Sequence, residues 1–263
     1  MPLSLLHYSP TGGTIEICRQ MGLRLNPQAA EYHLSQAKPQ ELTFAENNAV
    51  LVPVPVFGGR MPTHAAQAVR HLSGRQTRAV AVVVYGNRAY DDALLELGDI
   101  LTERGFKVLA AGAFIARHSI FSEVAPGRPD GNDKQRIQEF AGKTGEKLEK
   151  EASSIMAINI PGNRPYKERK PGMATPVTAA SCISCRKCAR NCPSEATPLE
   201  TPFRTIPGKC VLCMRCVHIC PMKARKPASG LRKGHGLFAA PAYAGKKGTR
   251  IFLVVVGMCK CFL

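Results

Sequence analysis

The strongest constraint on this chain is a cysteine pattern that occurs twice. Residues 182–193 read CISCRKCARNCP and residues 210–221 read CVLCMRCVHICP, so both follow the spacing CxxCxxCxxxCP. Eight of the 11 cysteines lie between Cys182 and Cys220. The N-terminus has no basic region and no small-residue cleavage site, so no secretion signal is predicted. In such a chain this cysteine density indicates metal binding and not a disulfide framework.

The duplicated spacing is that of the bacterial ferredoxin run, in which three cysteines bind one 4Fe–4S cluster and the fourth ligates the other. Two residues between ligands allow a tight loop to wrap three corners of a cluster, and the following proline turns the chain away. We therefore expect two neighbouring clusters. The first ligand set is Cys182, Cys185, Cys188 and Cys220, and the second ligand set is Cys210, Cys213, Cys216 and Cys192.

Zinc is the alternative metal, because paired CxxC motifs also bind zinc. Zinc takes four ligands from two separated pairs, and it does not call for an evenly spaced triplet plus a fourth Cys-Pro. His218 lies between Cys216 and Cys220, and we expect it at the surface and not among the ligands. The remaining cysteines have no such spacing, and Cys18 is predicted to be a buried core residue.

The formal net charge of +17 is concentrated at one end of the chain. Residues 1–163 carry 17 Lys and Arg against 16 Asp and Glu, whereas residues 164–263 carry 19 against 3. Eight thiolates and two 2+ cluster cores would lower this C-terminal excess by about 4 charges. The remaining positive charge favours redox partner proteins of acidic character. Nucleic acid is not expected as a partner, because many of the basic residues alternate with cluster ligands.

No apolar run approaches the roughly 20 residues of a membrane-spanning helix. Membrane insertion is therefore not expected, and a cytoplasmic protein is predicted. The 263 residues are enough for a medium domain and a small one.

Apolar runs alternate with helical patterns over the first 150 residues. Strands are predicted from Leu3 to Tyr8, Tyr32 to Leu34, Ala49 to Val56, Arg78 to Val84 and Phe106 to Ile115. The third of these contains Pro53 and Pro55 and is expected to end near Val52 to Val54. Five strands that alternate with helices predict an α/β fold with a doubly wound five-stranded parallel sheet.

The domain boundaries follow from changes in composition. Residues 1–151 form the predicted α/β domain, and the Pro-, Gly- and Lys/Arg-rich residues 152–180 form a linker. Residues 181–226 form a small α+β domain with two clusters. Residues 227–263 are an atypical tail, expected to be poorly ordered and without an assigned function.

Three loops at the predicted carboxyl ends of strands carry glycines together with hydroxyl or aromatic groups. Ligands of parallel α/β folds bind at this edge. The first loop lacks the spacing of a dinucleotide fingerprint or a P-loop, and so it favours the terminal phosphate of a mononucleotide. Candidate contacts are Ser9, Thr11, Gly12, Gly13 and Thr14 in the first loop, Phe57, Gly58 and Gly59 in the second, and Tyr85, Gly86, Asn87, Tyr90 and Asp91 in the third.

The succession YSPTGGT, PVFGGRMP, VYGNRAYDD and FIARHS is similar to a family that fuses a flavodoxin-like domain to a two-cluster ferredoxin. The resemblance covers about residues 3–226 and departs from the family after about Lys226. It implies FMN on the first loop, with the flavin ring between residues 57–61 and 85–91. The family motif at His118 and Ser119 has no assigned mechanism, and a structural role is expected there.

The leading functional hypothesis is an electron-transfer protein that couples two 4Fe–4S clusters to FMN. No general base, nucleophile or substrate pocket stands out, so an electron carrier is favoured over an enzyme. A flavin-dependent reductase of an unidentified acceptor, fed by ferredoxin, is the second hypothesis and would be an oxidoreductase. A zinc-stabilised nucleic-acid-binding protein is the third.

Overall fold

The structure, a computed structural model, describes residues 1–36, 39, 41–150, 158–169, 174–228 and 250–253, the last stretch by its backbone alone. Among these residues, no helix has the length and apolar character needed to cross a membrane. Cys259 and Cys261 and most of the predicted tail lie outside the described residues.

A central parallel sheet organises the N-terminal domain. Its strands stand in the order β2, β1, β4, β6, β7. Numbered among themselves, these five strands have the order 2-1-3-4-5 of the flavodoxin-like fold, which confirms the predicted doubly wound sheet. The strands are β1 (Leu3–His7), β2 (Ala30–His33), β3 (Leu42–Phe44), β4 (Ala49–Pro55), β5 (Leu72–Gly74), β6 (Thr77–Tyr85) and β7 (Phe106–Ile115), of which β3 and β5 form a separate parallel pair.

Helices cover both faces of this sheet. The helices α1 (Gly13–Leu25) and α4 (Gly131–Leu148) contact each other on one face, and α2 (Thr63–Arg70) and α3 (Ala93–Glu103) contact each other on the opposite face. Each face has its own apolar cluster, and Cys18 is fully buried in the α1–α4 cluster, as predicted. The strands β4 and β6 are buried on both faces, which explains their near-continuous runs of valine and alanine.

The expected early end of β4 is wrong, because this strand includes both of its prolines. The carbonyl of Pro53 accepts a hydrogen bond from the Tyr8 amide, whereas the Val56 amide donates to Val84 in β6. Odd-numbered residues at this end of β4 therefore face β1, whose ladder with β4 stops at the Leu5–Leu51 pair. The missing proline amides remove no hydrogen bond from the β4–β6 ladder.

A sixth strand, β10 (Arg250–Leu253), joins the sheet beyond β7 and runs antiparallel to it. It comes from the predicted tail, where no strand was expected. Its hydrogen bonds cover the edge of β7 that would otherwise present unpaired backbone groups.

The cysteine-rich module is small and contains both helix and strand, as predicted. It comprises the short helices α5 (Lys187–Arg190) and α6 (Arg215–His218), which contact each other, and an antiparallel pair of two-residue strands, β8 (Val177–Thr178) and β9 (Arg225–Lys226). A 3-10 turn spans Pro207–Lys209.

Residues 158–169, within the predicted linker, pack against α3 and the turn before it. The Asp92 carboxylate accepts hydrogen bonds from the backbone amides of Asn163 (2.8 Å) and Lys167 (2.7 Å). Arg164 and Tyr166 both hydrogen-bond to Asp99. Charged contacts with α3 thus hold this part of the segment against the first domain.

Candidate metal centre and cofactor loops

The sequence repeat is also a repeat of backbone conformation. In each motif the residues on both sides of the second cysteine have positive φ angles, between 51° and 61°. A short helix follows in each case and carries the third cysteine. This left-handed conformation bends the chain sharply, as a loop that wraps a compact ion cluster requires. The four residues are Ser184 and Arg186 in the first motif, and Leu212 and Met214 in the second.

The structure brings the first ligand set together around one small cavity. The cysteines among the lining residues are Cys182, Cys185, Cys188 and Cys220. Cys220 comes from the other end of the module. Sequence spacing alone therefore does not produce this grouping, which depends on the folded arrangement of the two motifs.

The second ligand set is more deeply buried. Burial raises the pKa of the Cys213 thiol to about 12, and the neighbouring thiols Cys216, Cys192 and Cys210 add to the rise. Burial likewise raises the pKa values of Cys210 and Cys216, with nearby thiols contributing to both. Four thiols that repel one another's charge form a site that needs a cation to become stable as thiolates.

Equivalent backbone amides donate to the fourth cysteine of each motif. The Ala196 amide lies 3.2 Å from Cys192 Sγ, and the Ala224 amide lies 3.3 Å from Cys220 Sγ. At Cys220 burial raises the pKa, but hydrogen bonds from backbone amides outweigh burial, and the pKa falls below its ordinary value. Amide donors to sulfur are among the groups that tune iron–sulfur centres.

The donor set fits iron–sulfur clusters. All eight motif cysteines are free thiols, and the described residues contain no disulfide. Soft thiolate ligands select iron–sulfur clusters or zinc, whereas hard cations prefer oxygen. The first ligand set combines an evenly spaced triplet with one distant cysteine, which is the cluster arrangement and not two separated pairs.

Arg225, a residue that the sequence analysis did not single out, lies between the two ligand sets. It is 2% exposed, and it is one of the residues that line the cavity of the first set. Its Nη2 also lies 3.8 Å from Cys216 Sγ in the second set. A comparison of the two repeats could have drawn attention to Arg225. It lies five residues after the fourth cysteine of its motif, and the equivalent residue of the first motif is the uncharged Thr197.

The second motif contacts the N-terminal domain. Arg215 Nη1 lies 3.5 Å from the carbonyl oxygen of Pro10, and His218 Nε2 lies 3.4 Å from that of Ser119. His218 is exposed, as expected for a surface residue, and its ring is directed at the loop that follows β7. Burial raises the pKa of the Tyr8 hydroxyl, and the nearby thiols of Cys213 and Cys192 raise it further. The second ligand set therefore lies beside the end of β1.

The loop between β1 and α1 has the features of an anion site. Gly12 precedes α1 with a φ of 98°, and no side chain caps the helix start at this residue. The Ser9 hydroxyl accepts a hydrogen bond from the Ile15 amide at 3.0 Å. Thr14 is buried, while Thr11 and Gly13 are partly exposed and Gly12 is exposed. The positive end of a helix, with its backbone amides, suits the phosphate end of a mononucleotide.

The second and third predicted loops touch each other. Phe57 and Arg60 exchange backbone hydrogen bonds across Gly58 and Gly59, and both glycines have positive φ angles. The Gly59 carbonyl accepts from the Asp92 amide, and a side chain at Gly59 would meet the Asp91 carboxylate. Gly59 therefore allows close packing between the two loops.

Tyr85 and Tyr90 are buried and pack edge to face with ring centroids 5.6 Å apart. They line a pocket of about 660 Å³, within the size range of small-molecule sites. Asp91 and residues 161–163 also line this pocket, whereas the 9–14 loop does not. Asn87 is buried, and its side-chain oxygen has no hydrogen-bond partner among the described residues.

His118 has a structural setting, in agreement with the expected role. Its ring packs against Gly86, where an added Cβ would lie 2.5 Å from His118 Cδ2. Its Nδ1 accepts hydrogen bonds from the amides of Ile120 and Phe121 at 3.1 and 3.2 Å. Gly86 therefore makes room for a side chain of this chain, which sequence reasoning had not anticipated.

One further group of possible metal ligands lies at the carboxyl ends of β1 and β2. Nε2 atoms of His7 and His33 lie 3.1 and 3.2 Å from the same Glu31 oxygen. Arg19 donates two hydrogen bonds of 2.9 Å to that carboxylate, and it already supplies the counter-charge. We therefore describe this group as an ion-pair cluster.

Comparisons with known proteins agree with the cysteine module. Residues 203–226 match the family described as 4Fe-4S binding domain, a stretch that includes Cys210, Cys213, Cys216 and Cys220. No curated protein matches the chain.

Solved structures similar to the first domain include a flavodoxin from the domain Archaea (14% identity, 57% of this chain and 100% of that chain, TM-score 0.37). Oxidised flavodoxin 2 from Bacillus cereus (13%, 56% and 99%, 0.43) and an apo NADH:FMN oxidoreductase, EmoB (12%, 59% and 94%, 0.40), are also similar. The order of the five parallel strands defines the fold. The chain thus joins a flavodoxin-like domain to a 4Fe–4S binding domain.

Proposed function

We propose that this protein is an electron-transfer protein that couples two 4Fe–4S clusters to an FMN in the flavodoxin-like domain. The observation that carries the proposal is the contact between the second cysteine motif and the loop after β1, through Arg215 and Pro10. The predicted ligands of one centre and the predicted phosphate loop of the other therefore belong to neighbouring elements. Bound clusters exchange single electrons, and a bound flavin exchanges one or two.

The two ligand sets differ in exposure, which supports an order of the redox centres from the protein surface to the flavodoxin-like domain. Cys185 of the first set is exposed, whereas Cys213 of the second set is 8% exposed and lies on the side of the N-terminal domain. A protein partner can approach the first set from solvent. The second set would then connect the first set to the flavodoxin-like domain.

The surface around the first ligand set supports an acidic partner protein. Residues 181–226 contain nine Lys and Arg and two Glu, and Arg186, Lys187 and Lys223 are exposed beside the first set. Exposed apolar side chains, Ile183 (61%) and Met222 (46%), lie among them. A mixed basic and apolar surface suits transient docking of a small acidic redox protein, with faster association at low salt. The cysteine usage also supports a cytoplasmic location.

Metal content and visible absorbance of anaerobically purified protein test the cluster part of the proposal. About eight irons per chain and a broad brown absorbance are expected. Cys185→Ala should lose about half of the iron, whereas the matched control Cys18→Ala changes a buried cysteine outside the motifs and should keep all of it. Stoichiometric zinc without colour in the wild-type protein would refute the cluster assignment.

Acid release of flavin, with identification of FMN by chromatography, tests the other part. Thr11→Asp places a carboxylate in the predicted phosphate loop and should abolish flavin binding while iron content is unchanged. Ser122→Asp adds the same charge to an exposed residue of the loop after β7 and should retain flavin. A Thr11→Asp variant that binds FMN as the wild type does would contradict the placement.

A further inference from the structure

Arg225 is a fully buried cation within the cysteine module. It is 2% exposed and is the largest fully buried residue among those that the structure describes. Across the described residues, no carboxylate lies within ion-pair distance of its guanidinium. Arginine is rarely buried unless it is paired, because removal of its charge from water is costly. Such a residue needs another source of negative charge.

Neutral groups hold the guanidinium in a fixed orientation. Nη1 donates to Thr178 Oγ1 (2.7 Å) and to the Phe203 carbonyl (3.3 Å). Nη2 donates to Thr205 Oγ1 (2.6 Å) and lies 3.5 Å from Thr197 Oγ1. Nε is buried and has no partner among the described residues. These contacts orient the side chain, but they do not neutralise its charge.

The thiols are the acidic groups that this cation meets. Nη2 lies 3.8 Å from Cys216 Sγ, a member of the second ligand set. Arg225 is also one of the residues that line the cavity surrounded by the first ligand set, and its charge acts to lower the pKa values of Cys188 and Cys220 in that set. A single positive charge is therefore in reach of both sets.

We propose that Arg225 is a positioning residue that supplies a shared counter-charge to both iron–sulfur centres and raises both reduction potentials. The inference rests on the proposed binding of two clusters. A 2+ core with four thiolates has a formal charge of about −2, and one added electron makes it about −3. A fixed buried cation stabilises the more negative state more strongly, so it favours reduction at each centre.

Redox titration of the anaerobically purified holoprotein, followed by electron paramagnetic resonance, tests the proposal. For Arg225→Gln we expect both midpoint potentials to fall by the equivalent of about a tenfold change in the one-electron equilibrium constant, which is about 59 mV. Arg225→Lys retains the charge and should restore most of the shift. Lys226→Gln is the matched control, since it removes a positive charge from the adjacent, exposed residue of β9, and it should shift neither midpoint.

Unchanged midpoints in iron-loaded Arg225→Gln would overturn the proposal, and so would a shift confined to one centre. If Arg225→Gln retains no iron, the test becomes iron content at equal far-ultraviolet circular dichroism. Iron retained by Arg225→Lys then supports the counter-charge role. Iron lost from both variants overturns that role, since the shape of the guanidinium and not its charge would then be needed for cluster binding. A wild-type protein with zinc and no paramagnetic signal would instead refute the proposed function.

Discussion

Glu96 lies in α3 at the centre of a buried ionic cluster that joins three parts of the N-terminal domain. Its carboxylate is 6% exposed and accepts two hydrogen bonds from Arg60, at 2.8 and 2.9 Å. It also accepts from the Met61 amide at 3.1 Å and from Arg169 at 2.7 Å. Arg60 follows the glycine turn after β4, and Arg169 belongs to the segment 158–169. Hydrogen bonding to Glu96 raises the pKa of Arg60 above its ordinary value.

Glu96→Gln keeps the size of this side chain and removes its charge. The amide group would face donors, and two arginines would lose their counter-charge. Removal of one partner of a buried ion pair costs about 3–5 kcal/mol. The Arg60 side chain is 12% exposed and has little access to water, whereas Arg169 is 34% exposed and can be solvated. We therefore expect the lower end of that range, about 3 kcal/mol.

Urea unfolding followed by far-ultraviolet circular dichroism measures this loss, since the four longer helices belong to the N-terminal domain. The midpoint temperature should also fall, by on the order of 10 °C. Glu103→Gln is the matched control: it lies on the same helix and pairs with Arg70, but both side chains are more than half exposed. That exposed pair should contribute about 0–1 kcal/mol. Equal losses of unfolding free energy in the two variants would refute the assignment of Glu96 as a buried ionic centre.

Two further substitutions test local packing and electrostatics in the same unfolding assay. Gly86→Ala should lower the free energy of unfolding by about 1–3 kcal/mol, because the new Cβ would lie against the His118 ring. The control Gly131→Ala has no heavy atom within 4 Å of its new Cβ and should be neutral or slightly stabilising. Similar changes of the unfolding free energy in the two variants would contradict the close approach of His118 to Gly86. Arg19 lowers the pKa of Glu31 to about 2, so the stabilisation from Glu31 is complete above about pH 4.5 and is lost as the pH falls towards 2. Glu31→Gln should therefore be less stable than the wild type by about 1 kcal/mol at pH 6 after solvent screening, and a difference that does not shrink at pH 2.5 would count against the pair.

Local spacing explains how much of the site could be predicted from sequence. A CxxCxxC triplet is completed within seven residues, so its chemistry is visible without any knowledge of the fold. The same holds for the glycine loop before α1, whose residues are adjacent in sequence and lie at the end of a recognisable strand. The alternation of buried strands and helices likewise predicts the parallel sheet, because burial on both faces produces continuous apolar runs.

Contacts between distant residues could not be predicted in this way. The prolines of β4 are tolerated because their positions face β1, so their missing amides take no hydrogen bond from the longer ladder between β4 and β6. The segment 158–169 is polar and lacks periodicity, yet its Asn163 amide donates to the Asp92 carboxylate and its Arg169 side chain donates to the Glu96 carboxylate. Neither contact could be predicted from the order of polar and apolar residues along the sequence.

The sequence by itself therefore determined the ligand chemistry, the duplication and the α/β alternation, since each depends on residues close together in the chain. Only the tertiary structure decided which cysteine motif faces the flavodoxin-like domain and which faces solvent. It also decided that Arg225, one of nine basic residues in the module, is buried between the ligand sets while its neighbour Lys226 is exposed. Burial and distance depend on the packing of separate elements, and these quantities set the electrostatics of the site.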